Sequence, residues 1–527
     1  MTSFISESPA APPDQAILKA NLQALARHAP RLVRELEQTT PRRDITFSPS
    51  EQDVLTGELD SRALASRRRP LDEARRWADG IDLTKAGGVV VLGFGLGHHI
   101  GALAQRCRGI SCIVVFEPDL GLLRAVLEHI DHSAWLAHAQ LIMLTDATNA
   151  SVMSQAVCGH EGPLAVGIEF VEHPPSRPRL REHASRFTET FARVFGALRT
   201  NVITTMMQTD VTVRNELMNV EHYVGCPGIA DLTDMCAGKP AIVVAAGPSL
   251  ERNIHLLTSP GAQQRCVIIA VQTVLRQLLE AGIRPHFVTA IDYHEISKRF
   301  YEGLTADDVE GVTLVAAARA NPAILDAYPG DIRIPEDDFL DELLGPDFAR
   351  DRGALPPAAT VAHHAYYLAR ALGADPVILV GQDLAFTDGQ YYARGAAIHD
   401  VWAPELNAFN TLEMMEWQRI VRTRATLHRA TDHLGRPVYT DEQMATYLAQ
   451  FERDFLPDVE AGRTVIDATE GGVQKRHTTA MPLADALAQY ASDDAAQVPD
   501  ALRATPVRST QRHADAEARL EDVRGGV

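Results

Sequence analysis

Short runs of β-branched and other apolar residues punctuate this chain: GGVVVLG at 87–93, SCIVVFE at 111–117, PAIVVAA at 240–246, CVIIAV at 266–271, HFVTAI at 286–291, GVTLVAA at 311–317 and DPVILVG at 375–381. Each has the length of one strand, and most are followed by a stretch with helical periodicity. Strands separated by helices pair in parallel, because a parallel pair needs a long crossover. Between the two groups of strands, 177–223 keeps a helical rhythm with few Pro or Gly, and 66–80 (SRRRPLDEARRWADG) places Leu71, Ala74 and Trp77 on one helix face. The pattern predicts an α/β protein: two Rossmann-like doubly wound parallel sheets joined by helices, plus a helical C-terminal lobe. Its expected divisions are an N-terminal helical and Rossmann-like domain at 1–175 and a helical connector at 176–235. A central α/β domain follows at 236–400, then the helical lobe at 401–490 and a disordered tail at 491–527.

Composition narrows the function. With 527 residues and 46% apolar content, the chain fills more than one core. A net charge of −19 argues against capture of nucleic acid or of an anionic membrane surface. No basic segment followed by an apolar core opens the chain, and no run of about 18 apolar residues occurs, so a cytoplasmic location is expected. The six cysteines are scattered, without metal-ligand spacing, and read as small core residues or surface thiols; no metal site is expected.

Candidate chemistry sits at strand ends. Gly93, Gly95 and Gly97 with Glu117 resemble a dinucleotide or S-adenosylmethionine turn, although His98 stands where the third glycine of GxGxxG belongs. Gly247, Pro248, Ser249 and Leu250 lie between a strand and a helix, where backbone N–H groups and the Ser249 hydroxyl can receive phosphate oxygens. An ordinary turn in which Ser249 caps a helix is the alternative. Asp292 and Asp383 end two strands, where open α/β sheets gather their ligands, and Gln382 adds an amide for a ribose or base edge. His399 follows Tyr391 and Tyr392 in one loop and has a side chain suited to taking a proton from a hydroxyl. Glu470 precedes two glycines that permit close approach of a ligand, or it caps a helix.

The run VAHHAYYLARALGADPVILVGQDLAFTDGQYYARG, with AAGPSL, GIRPHFVTAID, VYTD and IDATEGG, resembles the motility-associated-factor (Maf) family of bacterial flagellin glycosyltransferases. RRRPLDEARRWA, LGFGLGHHI, VVFEPD and the Asn215/Asn219 pair extend the likeness from Ser66 to about Leu487. The resemblance implies transfer of a nonulosonic acid, pseudaminic or legionaminic in type, from a CMP-activated sugar to Ser or Thr of flagellin, with inversion. It implies a central domain similar to bacterial sialyltransferases, whose turn reads GNGPS; Ala246 stands here where that turn has Asn. Gly247, Pro248, Ser249, Leu250, Gln382 and Glu470 are then expected to hold the donor, and Asp292, Asp383 or His399 to act as base. A monophosphate leaving group needs no divalent ion, so no cofactor is expected beyond the CMP-sugar donor. Three other functions fit parts of the pattern: a pterin-type diphosphokinase using ATP and Mg²⁺, an S-adenosylmethionine enzyme working through 93–97, and a non-catalytic flagellin-binding factor. The oligomeric state is not legible.

Overall fold

The computed structural model describes residues 14–505 except 85, 108–110, 138–139, 347–349, 423 and 493, and describes 201 and 401 without their side chains. The chain divides into two units, 1–206 and 207–527.

In the first unit, β1 (Gly88–Leu92), β2 (Cys112–Phe116), β3 (Leu141–Leu144) and β4 (Ile168–Glu172) form a parallel sheet in the order β3-β2-β1-β4. Every residue of β1 and β2 is buried, which is why both read as unbroken apolar runs rather than as alternation. Helix α1 (Pro70–Asp79) starts on proline, where the missing N–H has no intrahelical partner to lose, and buries Ala74 and Ala78. Helix α2 (His98–Cys107) follows the glycine-rich turn after β1. The chain steps from β1 to β2 and β3 on one side and to β4 on the other, so the order reverses between β1 and β4.

Helix α3 (Arg177–Met218), kinked at Arg181, leads into the second unit. There β5 (Ala241–Val244), β6 (Val267–Val271), β7 (Phe287–Ala290), β8 (Thr313–Ala316), β9 (Asp331–Arg333), β10 (Val377–Val380), β11 (Val465–Asp467) and β12 (Thr479–Ala480) form one parallel sheet. Its order is β9-β8-β7-β6-β5-β10-β11-β12, reversing between β5 and β10. Helix α4 (Val361–Ala371) packs across β5, β6 and β7, closing a core that includes Ile242, Ile268, Phe287, Tyr366, Leu368 and Ile378. Thr360 caps α4 by accepting from the His363 N–H at 3.3 Å. Thr360→Ala is therefore expected to lower the stability of this unit by about 1 kcal/mol in urea denaturation.

Two differences from the sequence expectation follow from long-range pairing. The C-terminal region contributes α5 (Leu412–Arg422) and α6 (Glu442–Glu460), and it also returns β11 and β12 to the central sheet. The tail expected from 491 is ordered as far as it is described: Leu502 is buried, the Val498 N–H reaches the Gln264 carbonyl, and the Arg503 guanidinium donates to the carbonyls of Arg284, Pro285 and Gly311. The segment docks through a few scattered residues, Ala491, Val498, Leu502 and Arg503, too few to show in an apolar count. Residues 506–527 lie outside the described residues. Among the described residues no helix is long and apolar enough to cross a membrane.

Candidate functional site

The two strands flanking the reversal in the larger sheet deliver GPSL and GQD to one place. The Gly247 N–H donates to the Gly381 carbonyl at 2.7 Å, tying the turn after β5 to the turn after β10. Asp383 is buried against both: it accepts from the Ser249 hydroxyl at 2.6 Å, from the Ser249 N–H at 3.3 Å and from the Thr387 hydroxyl. Thr387 in turn accepts from the Gly472 N–H at 3.0 Å, and the Val473 N–H donates to the Asp383 carbonyl at 2.8 Å, so the loop after β11 joins the same knot. Glycine is required by contact. A Cβ at Gly247 would lie 2.0 Å from Asp383 Oδ1, and one at Gly472 would lie 2.1 Å from the Asp383 carbonyl oxygen. Burial pushes the Asp383 carboxyl up, and the Ser249 and Thr387 hydroxyls pull it back.

This geometry revises several assignments. Ser249 spends its hydroxyl and its N–H on Asp383, so the phosphate cradle expected of Gly247, Pro248, Ser249 and Leu250 is instead a latch: a carboxylate occupies the donors, and Leu250 N–H closes back on Gly247. Asp383 fastens three loops and has no oxygen left over for an acceptor proton. Glu470 accepts from the Asn253 amide and from the Leu483 N–H, both at 3.0 Å, and so caps the helix Leu483–Tyr490. Gln382 differs: its Oε1 is buried and has no protein partner among the described residues.

The rim continues toward β8. Asp292, after β7, accepts from the Gln272 amide and from the Ser297 hydroxyl at 2.8 Å; both bonds fall on Oδ2, and Oδ1 has no protein partner among the described residues. Burial pushes this carboxyl up against the opposing pull of Ser297. Arg319, after β8, donates to the Ala358 carbonyl at 2.9 Å and makes no ion pair among the described residues. Burial draws its pKa down, while Glu216 and Asp337 draw it back. Three asparagines fix this corner. Asn215 and Asn321 donate to the Tyr293 carbonyl, and Asn219 donates to the carbonyls of Ala318 and Ala320, each at 2.7 Å. Asn215 lies in the last turn of α3 and Asn219 just past its end, where the Asn219 N–H donates to the Asn215 carbonyl at 2.9 Å and keeps the two side chains on the same side.

His399 forms a dyad with Glu416 (2.9 Å, both buried), and its Nδ1 has no protein partner among the described residues. Beside the dyad Arg419 stacks over Tyr391 at 4.3 Å and lies 5.4 Å from the Tyr392 ring, and Tyr392 is acted on by the charges of Arg419, Asp292 and Glu416. Sequence reading missed Gln272 and Arg319. Both follow apolar strands directly, as Asp292 does, and that placement was the available signal.

In the first unit the glycine turn does not offer the nucleotide cradle its spacing suggests. A Cβ at Gly93, Gly95 or Gly97 would lie 2.4–2.5 Å from side-chain atoms of Ser176, His173 and His132 respectively, so the space over the turn is already filled. Glu117, the presumed ribose ligand, is held by both arms of Arg179 at 2.7 Å and accepts from the Phe94 N–H at 3.0 Å.

Fold and site together define an α/β protein of two Rossmann-like parallel sheets, with polar side chains gathered at the reversal of the larger one. Residues 214–389 match the family described as 6-hydroxymethylpterin diphosphokinase MptE-like. Over its length the chain is similar to a solved Maf glycosyltransferase from Magnetospirillum magneticum AMB-1, with 15% identity and a TM-score of 0.46, covering 97% of this chain and 78% of that one. That is the family its motifs resemble. No curated protein sequence matches.

Proposed function

We propose that this chain is a glycosyltransferase that moves a nonulosonic acid from a CMP-activated donor to a Ser or Thr hydroxyl of flagellin. The observation that carries the reading is the rim itself: among the described residues Gln382 Oε1 and Asp292 Oδ1 have no protein partner and Arg319, which donates to the Ala358 carbonyl, has no carboxylate partner, whereas the Ser249 donors and both Asp383 oxygens are spent. The motifs that resemble the Maf family supply the substrate class. Gln382 accepts from the exocyclic amine of cytosine, and Arg319 offers the cation for the single phosphate. Asp292, its pKa raised by burial, takes the proton from the acceptor hydroxyl. The acceptor oxygen then bonds to the anomeric carbon as the bond from that carbon to the phosphate oxygen breaks. CMP leaves with the electron pair, and the configuration inverts.

The test is thermal scanning with CMP, since a ligand of the native state raises the melting temperature. CMP is expected to stabilise the protein, and Arg319→Gln and Gln382→Ala are each expected to abolish the shift. Asp292→Asn should keep the CMP shift while lowering sugar transfer to co-expressed flagellin, read by intact mass, by about 10²-fold or more. Transfer should survive EDTA. The match of 214–389 to the MptE-like family favours a second reading, diphosphoryl transfer to a pterin. Stabilisation by ATP with Mg²⁺ and not by CMP would establish that reading and remove the first.

A further inference from the structure

The reversal point of the smaller sheet, between β1 and β4, opens onto a cavity that the transferase reading does not use. Its volume is about 190 Å³, and it lies between α1 and the strand ends that carry Leu96 and His98 on one side and His173 on the other. Open α/β sheets place ligands at this position, outside the carboxyl ends of the strands where the order reverses. The walls are rings and aliphatic groups. His99 and His173 stack at 3.9 Å between centroids and 5° between planes, and Trp77 meets His99 edge-on at 4.9 Å.

We propose that this cavity binds a small planar ring compound, neutral or cationic, stacked among Trp77, His99 and His173 with a ring or side-chain N–H directed to Glu73. Size sets the first limit: an apolar cavity of about 150 Å³ holds benzene, so this one accommodates one or two fused rings. Charge sets the second. No lysine or arginine is among the described lining residues, and Glu73 is the one acidic side chain among them. The Glu73 Oε2 accepts from the Ser66 N–H, and Oε1 has no protein partner among the described residues. Burial holds His99 and His173 far below the usual imidazole range and draws His98 down as well, which disfavours positive charge on all three histidines of the lining.

The experiment is saturation-transfer NMR on the full chain with three probes of one shape: indole, tryptamine and indole-3-acetate. Transfer is expected to indole and more strongly to tryptamine, and to be at least fivefold weaker to indole-3-acetate. Ala74, buried in the wall, gives the blocking variant: Ala74→Leu should reduce transfer to indole and tryptamine at least fivefold with the melting temperature preserved. Glu73→Gln, at an exposed position, should remove the preference for tryptamine and keep indole binding, and it decides the matter if Ala74→Leu does not fold. Equal transfer to all three probes, transfer undiminished in a folded Ala74→Leu, or a tryptamine preference that survives Glu73→Gln overturns the assignment. The probes contain no nucleotide, so the outcome is separate from that of the CMP experiment.

Discussion

Asp383→Ala is expected to destabilise the second unit by about 3–5 kcal/mol, the scale for removing one partner from a buried charged network. The side chain is buried and its two oxygens receive two hydroxyls and a backbone N–H, from Ser249 and Thr387. Truncation leaves those donors unpaired in a place water does not reach, and each such group costs about 1–3 kcal/mol. It also loosens three loops at once, because GPSL, GQD and EGG all bond or press against Asp383, and Arg252 and Asn253 additionally hold the GPSL segment to the loop after β11. Asp383→Asn keeps the volume and one acceptor and should cost less than half as much. Gly247→Ala reaches a similar end from the other side, since its Cβ would sit 2.0 Å from the carboxylate and 2.4 Å from the Gly381 carbonyl oxygen. Urea denaturation followed by fluorescence measures all three. A loss under about 1 kcal/mol in Asp383→Ala would show that the knot does not hold the loops.

Acidification is expected to unfold the first unit before the second. Burial lowers His132 and His173 to about 3 and takes His99 well below 6.5. The unfolded chain binds protons on these groups as the pH falls below 6.5, and the folded one does not. Their contribution is complete above 6.5 and is lost as the pH falls toward 3. One such histidine is worth at most about 1.4 kcal/mol per pH unit, reached once the pH is well below 6.5. Between pH 6.5 and 5 His132 and His173 alone remove roughly 3 kcal/mol, a large share of the stability of a typical domain, and His99 acts in the same direction. In the second unit His286, His363 and His364 act in the same direction, each lowered to about 3. There Asp292, Asp383, Glu452 and Asp458 are raised and oppose them, because the folded state binds those protons more readily. Hydrogen exchange of peptides spanning β1–β2 and β5–β6 between pH 7 and 4 reads the order directly. Exposure of β5–β6 first, or of both together, would contradict it.

What the sequence determined by itself was set by local rules. Unbroken apolar runs such as GGVVVLG and PAIVVAA dictate buried parallel strands, since a strand covered on both faces has no polar side to show. Strand ends such as Asp292 and Gln382 are legible as rim positions for the same reason. Glycines at 93–97, 247 and 472 announce tight approaches, but a glycine does not say what approaches it. Only the tertiary structure decided that Ser249 and Glu470 serve the protein's own loops, that the space above 93–97 is filled by His132 and His173, and that Arg319 stands without a carboxylate partner. It alone returned β11 and β12 to the central sheet and docked the segment around Leu502. Each of these rests on a partner far away in the chain, such as Ser249 with Asp383 across 134 positions. Periodicity and spacing report on neighbours in sequence, whereas whether a polar group is free or spent is fixed by what folding brings beside it.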